Sequence, residues 1–357
     1  MNFSEIKARI YKILPVFLVL TTILFFLPNK TYATSGNIYT VDSDTGKLAT
    51  WLVGPRQMAR DSAGNIYAIY NSLGSGPKSN IYLAKSTNQG QTWTKEAVTT
   101  GDNYSQMNPS IAIDSQNNLH VVWQGTTTAE EETNYRFQIR YREYTNGAWQ
   151  NIVELTNQAD RGQALPAIAV DSQDNIHLVW YGAATVEEET NYKYQLRYQK
   201  YSNGAWQSIE ELTTNASYMQ AAASIAIDSH DNVHITWEGL TADSPNAYQI
   251  RYINYSSGTW QGIVELTTAG DDYAQETPVI AIDSQDNLHV VWMGAVAQAQ
   301  WLYQIRYREY TNGAWQNIVE LTTDFDYFQN DPSIAIDSHD NLHVVFGGMR
   351  AGAPAVG

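Results

Sequence analysis

The chain contains no cysteine, so no disulfide can staple it and packing alone must hold it together. It is short of positive charge. Twenty-one Lys and Arg stand against 37 Asp and Glu, a formal net charge of −16. So acidic a surface repels DNA, RNA and anionic membranes, and nucleic acid is excluded as a partner. Long apolar runs are missing beyond the first 33 residues, and no long helical period follows them. What the chain has instead is repetition.

The first 33 residues read as a secretory leader. Lys7, Arg9 and Lys12 form a positive start, Ile13 to Leu27 is an apolar run interrupted by Pro15, and Thr31-Tyr32-Ala33 offers small residues for cleavage after Ala33. The run is short for a bilayer span, which takes about 20 apolar residues. The expectation is an exported protein, secreted, periplasmic or on the cell surface, with no stable membrane insertion after cleavage. Loss of Lys7, Arg9, Lys12 and Lys30 with the single acid Glu5 takes the net charge from −16 to −19.

A segment of the form PSIAIDSQNNLHVVW recurs with its aspartate at Asp114, Asp171, Asp228, Asp283 and Asp337, and a weaker copy holds Asp61. Between these lies a second unit, and Gln138 to Thr156 is identical to Gln304 to Thr322 at all 19 positions. Self-similarity at this period signals a repeat architecture. Each unit reads as four short strands. Strand A is apolar on both faces (Ile111-Ala112-Ile113), strand B alternates (Leu119 to Trp123), strand C alternates with polar residues (Phe137 to Arg142), and strand D runs from Trp149 to Leu155. Units apolar inside and increasingly polar outward are blades of a β-propeller. Residues 36–53 read as strands C and D, and the last copy stops after strand B at Phe346. Joining these halves predicts an all-β, six-bladed β-propeller over 34–346. The N-terminal C–D strands close the ring on the C-terminal A–B strands, and 347–357 form a flexible tail.

Between strands A and B, Gly64, Asn117, Asp174, Asp231, Asp286 and Asp340 share one position. These residue types tolerate a left-handed backbone, so a tight turn is expected in preference to a calcium loop, and no metal or other cofactor is called for. His120, His177, His234, His289 and His343 share one position on strand B. Repetition spreads them over the blades, one each, which suits a hydrogen bond to a neighbouring turn or strand rather than catalysis. Arg140, Arg197, Arg251 and Arg306 on strand C are expected to face outward, their stems covering apolar surface.

One stretch stands out: Ser86-x-Asn88-x-Gly90-x-Thr92-Trp93. It reads as a hairpin whose Ser and Asn side chains bond the turn backbone, a structural feature. It resembles the Asp-box of bacterial sialidases and their relatives, with Asn where Asp is usual. With the repeats, the chain over 36–346 resembles the repeat-rich, exported members of the sialidase superfamily. That resemblance implies an Arg-Ile-Pro motif, further arginines for a substrate carboxylate, a catalytic Asp and a Tyr–Glu pair in enzymatic members. Here Gln57 and Met58 follow Arg56 in place of Ile-Pro, and the loop at 71–80 contains no acid. Sialidase catalysis is therefore not expected, and no catalytic residue is assigned.

The variation between copies lies in the B–C and D–A loops, at one end of the strands, where function on a rigid scaffold usually sits. Glu130 to Glu132 and Glu187 to Glu189 read as a solvated acidic rim. In the D–A loops a Tyr-x-Gln pair recurs as Tyr104/Gln106, Tyr218/Gln220, Tyr273/Gln275 and Tyr327/Gln329, with Arg161 in place of Tyr ahead of Gln163. Aromatic faces stack on sugar rings and amides bond hydroxyls, so these residues are the candidate ligand-binding set. Packing between blades is the alternative. The reading is a monomeric binding module for a glycan or cell-surface polymer. A glycoside hydrolase with an unrecognised carboxylate pair and a purely structural surface module are the alternatives.

Overall fold

The computed structural model describes residues 9–13, 41, 57–73, 78–100, 103–158, 160–215, 217–268, 273–296, 299–323 and 327–350. Residues 36–53, except Val41, and Arg56 lie outside them. Among the described residues the regular structure is β apart from two helices of five and six residues. The chain divides into two compact units, and the division in the repeat region falls between Ile227 and Asp228.

Within the first unit, one antiparallel sheet runs Met58–Arg60, Ile66–Ser72, Asn80–Ser86, Thr94–Ala97. The next runs Gln106–Ile113, Leu119–Gly125, Gln138–Thr145, and a third runs Gln163–Val170, Ile176–Gly182, Gln195–Ser202. Gln220–Ile227 is the last strand of this unit. In the second unit Val233–Gly239 pairs with Gln249–Ser256, and a further sheet runs Gln275–Ile282, Leu288–Val296, Ala299–Thr311. There too, Tyr327–Ile336 pairs with Leu342–Arg350. On the other side of Leu342–Arg350 lies Arg9–Ile13, in parallel. The last strand thus carries 347–350 into the sheet, residues that the sequence pattern assigns to a tail.

Strand D departs from expectation. In four of the sheets it is two pieces of two residues, such as Ala148–Trp149 and Val153–Glu154, each bonded to strand C, while in the first sheet it is the single strand Thr94–Ala97. The break is a register shift, since Trp149 faces Tyr144 but Val153 faces Tyr141, so four steps on strand D meet three on strand C. In the hairpin ahead of it Asn146 and Gly147 both have positive φ, as do Asn203/Gly204, Ser257/Gly258 and Asn312/Gly313. Two such residues make the tight hairpin turn whose twist matches the flanking strands.

The core is built from the B strands. Trp123, Trp180, Trp237 and Trp292 are fully buried. The indole N–H needs an acceptor there, and the first glutamine of strand A supplies it. Trp123 donates to Gln106 Oε1 at 2.7 Å, Trp180 to Gln163 at 2.8 Å and Trp292 to Gln275 at 2.7 Å. Gly125, Gly182 and Gly294 make room, since a Cβ at any of them would sit within 2.3 Å of the glutamine oxygen.

The strand C arginines are not outward-facing covers. Arg140 and Arg197 are buried. Each of the four lies directly opposite a strand D glutamate and bonds it: Arg140 to Glu154, Arg197 to Glu211, Arg251 to Glu265, Arg306 to Glu320. Opposite charges in register stabilise a strand pair, and alternation alone did not reveal that the partner strand would cover these positions.

Candidate functional site

The two ends of the sheets differ in what their polar residues do. At the A–B end, the turn residues Gly64, Asn117, Asp174, Asp231, Asp286 and Asp340 all have positive φ. Asp171 shows what the repeated aspartate does: Oδ1 accepts from the N–H groups of Gln173 and Asn175, and Oδ2 accepts from Asn175 Nδ2 and meets His177 Nε2 at 3.0 Å. Burial pushes its carboxyl up, but these bonds outweigh burial and hold it below the usual range. His177 Nδ1 in turn meets the Tyr198 hydroxyl at 2.7 Å, and the same Asp–His–Tyr relay recurs at Asp114/His120/Tyr141, Asp228/His234/Tyr252 and Asp283/His289/Tyr307. In the first sheet Tyr67 donates straight to Asp61.

Neighbouring turns are clasped together as well. Ser115 donates its N–H and hydroxyl to Asp174, Ser229 to Asp286 and Ser284 to Asp340. Asp228, His230 and Asp286 bring possible metal-ligand atoms within 4.8 Å of one another, but both carboxylates already accept several such bonds. The Asp-box residues form the same kind of closed turn. The Ser86 hydroxyl accepts from Gly90 N–H at 2.8 Å, Asn88 Oδ1 accepts from Thr92 N–H at 2.9 Å, and Trp93 Nε1 donates to the Gly90 carbonyl at 2.9 Å.

The opposite end, with the B–C and D–A loops, holds the candidate pairs. Their two members sit differently. Gln106, Gln163, Gln220, Gln275 and Gln329 are buried; Gln106 Nε2 donates to the Thr126 carbonyl and Gln163 Nε2 to that of Ala183. Tyr104, Tyr218, Tyr273 and Tyr327 are half-buried at the surface. A cavity of 270 Å³ opens beside the first pair, lined by Tyr104, Gln106, Thr99, Thr126, Arg140 and Ile152 among others.

Two features of this end escape the sequence pattern. Strand A carries a bulge: Asn108, Leu165, Ala222, Thr277 and Asp331 all have positive φ, four of them just ahead of a proline. Bulges re-aim side chains. The freed N–H is taken up by a strand B side chain of the preceding sheet, Gln124 for Leu165 at 2.8 Å and Glu238 for Thr277 at 2.7 Å. The second feature is that Glu238 is a carboxylic acid where Gln124 is an amide. Burial pushes its pKa up to about 8, and Glu276 nearby adds to the rise. Burial also raises Glu276, with Asp331 adding to it, and Asp331 itself is raised. Tyr303 donates to Glu276, and its own pKa is pushed up to about 12, by burial first and then by that carboxylate. Acids kept neutral near pH 7 beside ionised ones are the groups that transfer protons.

The acidic rim is also more ordered than a solvated run. Residues Ala129–Asn134 form a helix, α1, and Val186–Thr190 a second, α2. Thr128 and Thr185 cap them, accepting from Glu131 N–H and Glu188 N–H. Glu131 and Glu188 are buried and reach back to the N–H groups of Thr127 and Ala184. The sequence is that of a capping box, Thr-x-x-Glu, with each glutamate reaching one residue past the cap, a signal present in both loops.

No family model and no curated protein matches the chain. Solved structures do. A polysaccharide lyase described as an ulvan lyase superposes with a TM-score of 0.59 at 12% identity, covering 83% of this chain and 76% of its own. A Hadza microbial sialidase gives 0.56 at 10% identity, over 84% of this chain and 66% of the sialidase. The α-L-arabinofuranosidase of Fusarium graminearum, solved with arabinobiose, gives 0.54 at 11%, over 87% and 96%. The fold is that of the sialidase-like β-propellers. The four-stranded sheets are its blades, and the Asp–His–Tyr relays and Gln–Trp pairs are the internal bonding that repeats from blade to blade. Among the described residues no helix is long and apolar enough to cross a membrane.

Proposed function

We propose that this chain is an exported β-propeller that binds a glycan at the loop end of its blades. Six sheets account for the repeats, with 36–53 supplying the outer strands of the last one. Arg9–Ile13 belongs to the segment that the leader reading removes, and its departure frees the edge of Leu342–Arg350 for 36–53. A protein that starts at Gln57 should then melt well below one that starts at Thr34, and equal melting would sink the six-bladed ring.

The observation that carries the binding reading is the contrast between the two ends. The turn end closes its polar groups on themselves, whereas the loop end keeps half-buried tyrosines, and one of them, Tyr104, lines a 270 Å³ cavity. Small concave sites with a few polar groups are where ligands bind, and the lyase, the sialidase and the arabinofuranosidase of similar fold are named for action on glycans. A glycan-array screen of residues 34–357 tests this, and silence across the array would overturn it.

A second reading, a glycoside hydrolase, is favoured by Glu238, Glu276 and Tyr303. An acid kept neutral by burial can protonate a leaving oxygen while a second carboxylate stabilises the cation or attacks. Release of reducing ends that Glu276→Gln abolishes, with melting unchanged, would establish it. Binding without turnover leaves the binding module.

A further inference from the structure

Two tyrosines occupy positions that the fold does not explain. Tyr135 ends α1 and Tyr192 follows α2 by two residues, at equivalent places in successive blades of the first unit. Both have a left-handed backbone, φ 55° and 53°, and the residues are 78% and 70% exposed. A left-handed residue just past a helix is ordinarily Gly or Asn, because a Cβ is strained there. In both loops an asparagine, Asn134 or Asn191, stands one position too early to relieve that strain. The chain therefore keeps a bulky ring in strained backbone and gains little burial from it. Such a combination is found where a side chain is held out for use.

The segments beneath these rings are held firmly. Glu132 accepts from Lys78 Nζ at 2.5 Å, from the Ser105 N–H and hydroxyl, and from Thr126. Burial alone would raise its pKa; these bonds bring it down to about 2. Its equivalent Glu189 accepts from Gly162 N–H at 2.8 Å, lies 3.7 Å from Arg136 Nε, and is bonded by Tyr194. Tyr192 also leans edge-on against Tyr194, centroids 6.4 Å apart. The helices keep Glu130 and Glu187 exposed, and although Arg136 and Lys193 follow the two rings, the chain's net charge of −16 disfavours a polyanion.

We infer that Tyr135 and Tyr192 are paired stacking platforms for an uncharged polysaccharide of pyranose sugars, each taking the apolar face of a ring. A rigid, pre-set aromatic loses little entropy on binding, and repetition in successive blades suits a polymer that engages both at once. This rests on the glycan-binding reading and extends it to residues outside the Tyr-x-Gln set.

The test uses residues 34–357 with hydroxyethylcellulose and galactomannan as neutral probes, alginate as an anionic one, and the variants Tyr135→Gly, Tyr192→Gly and their combination. Glycine relaxes the backbone at both positions. Melting should therefore hold or rise, while affinity for a neutral probe falls about fivefold for each single change and at least about twentyfold for both. Tyr135→Trp should keep binding. Lower melting with affinity unchanged would make the rings structural and overturn the inference. Undiminished neutral binding by the double variant, or binding of alginate alone, overturns it too while leaving glycan binding in place. No binding to these probes or to any glycan of the array overturns both.

Discussion

The two ends of each sheet are built from the same repeated strands yet bonded in opposite ways. At the turn end, Asp171, Asn175, His177 and Tyr198 satisfy one another, and the same set returns in successive blades. At the loop end, equivalent positions diverge. The residue that takes the strand A bulge N–H is Asn71 in one sheet, Gln124 in the next and Glu238 in another. Repetition accompanies closed bonding, because every copy solves the same problem of satisfying buried polar groups. Divergence accompanies side chains left half-exposed around loops, where selection acts on something outside the fold.

The largest effect expected from breaking this contrast is at the turn end. Asp171 is buried, and Asp171→Ala strips acceptors from two backbone N–H groups, Asn175 and His177 together. Leaving buried donors unmet costs of order 2–4 kcal/mol for a site of this kind. Melting should fall steeply while glycan affinity at equal temperature stays put. A melting change within error would mean that the relay is dispensable and the contrast between the ends is false.

Next in size is Glu238. Its folded pKa of about 8 lies above the ordinary carboxyl value of 4.5. The folded state therefore holds the proton that the unfolded chain releases, and stability is fully present below about pH 4.5 and drains away as pH rises toward 8. Glu132 runs the other way. Its pKa of about 2 lies below the ordinary value, so its contribution is present above about pH 4.5 and is lost as pH falls toward 2. Glu238→Gln copies Gln124, keeps an acceptor for Thr277 N–H and removes the titration. At pH 7.5 the variant should be more stable by up to about 4 kcal/mol, with no gain at pH 4.5. Equal gains at both pH values would show that packing, not charge, sets the difference.

What could be read without coordinates follows the same division. The blades, the left-handed turns at Asn117 and Asp174 and the bonded histidines were legible because repetition turns one pattern into many independent instances. Pairing across strands was less so: Arg140 with Glu154 needs the register of two strands separated by a hairpin, and residue type alone suggested an exposed arginine. The bulge at Thr277 lay in plain view as a residue before Pro278, yet a proline there normally argues against left-handed backbone. The carboxylates Glu238, Glu276 and Asp331 come from three different strands, and only the fold gathers them.

The smallest effect divides the Tyr-x-Gln pair itself. Gln275 is buried, accepts from Trp292 Nε1 at 2.7 Å and from Arg306 at 3.0 Å, and fills the space above Gly294. Gln275→Ala removes the acceptor for a buried indole and should lower stability by about 1–3 kcal/mol. Tyr273 is half-buried two residues earlier. Tyr273→Ala should change melting by no more than about 0.5 kcal/mol equivalent and weaken glycan binding about two- to tenfold, the worth of one aromatic contact. Measured on the two single variants by melting and by titration, the pair should separate cleanly, the amide registering in stability and the ring in binding. If Tyr273→Ala instead lowers melting as far as Gln275→Ala and leaves binding intact, both residues serve the blade interface, and the ligand contacts must be sought elsewhere on the loop end.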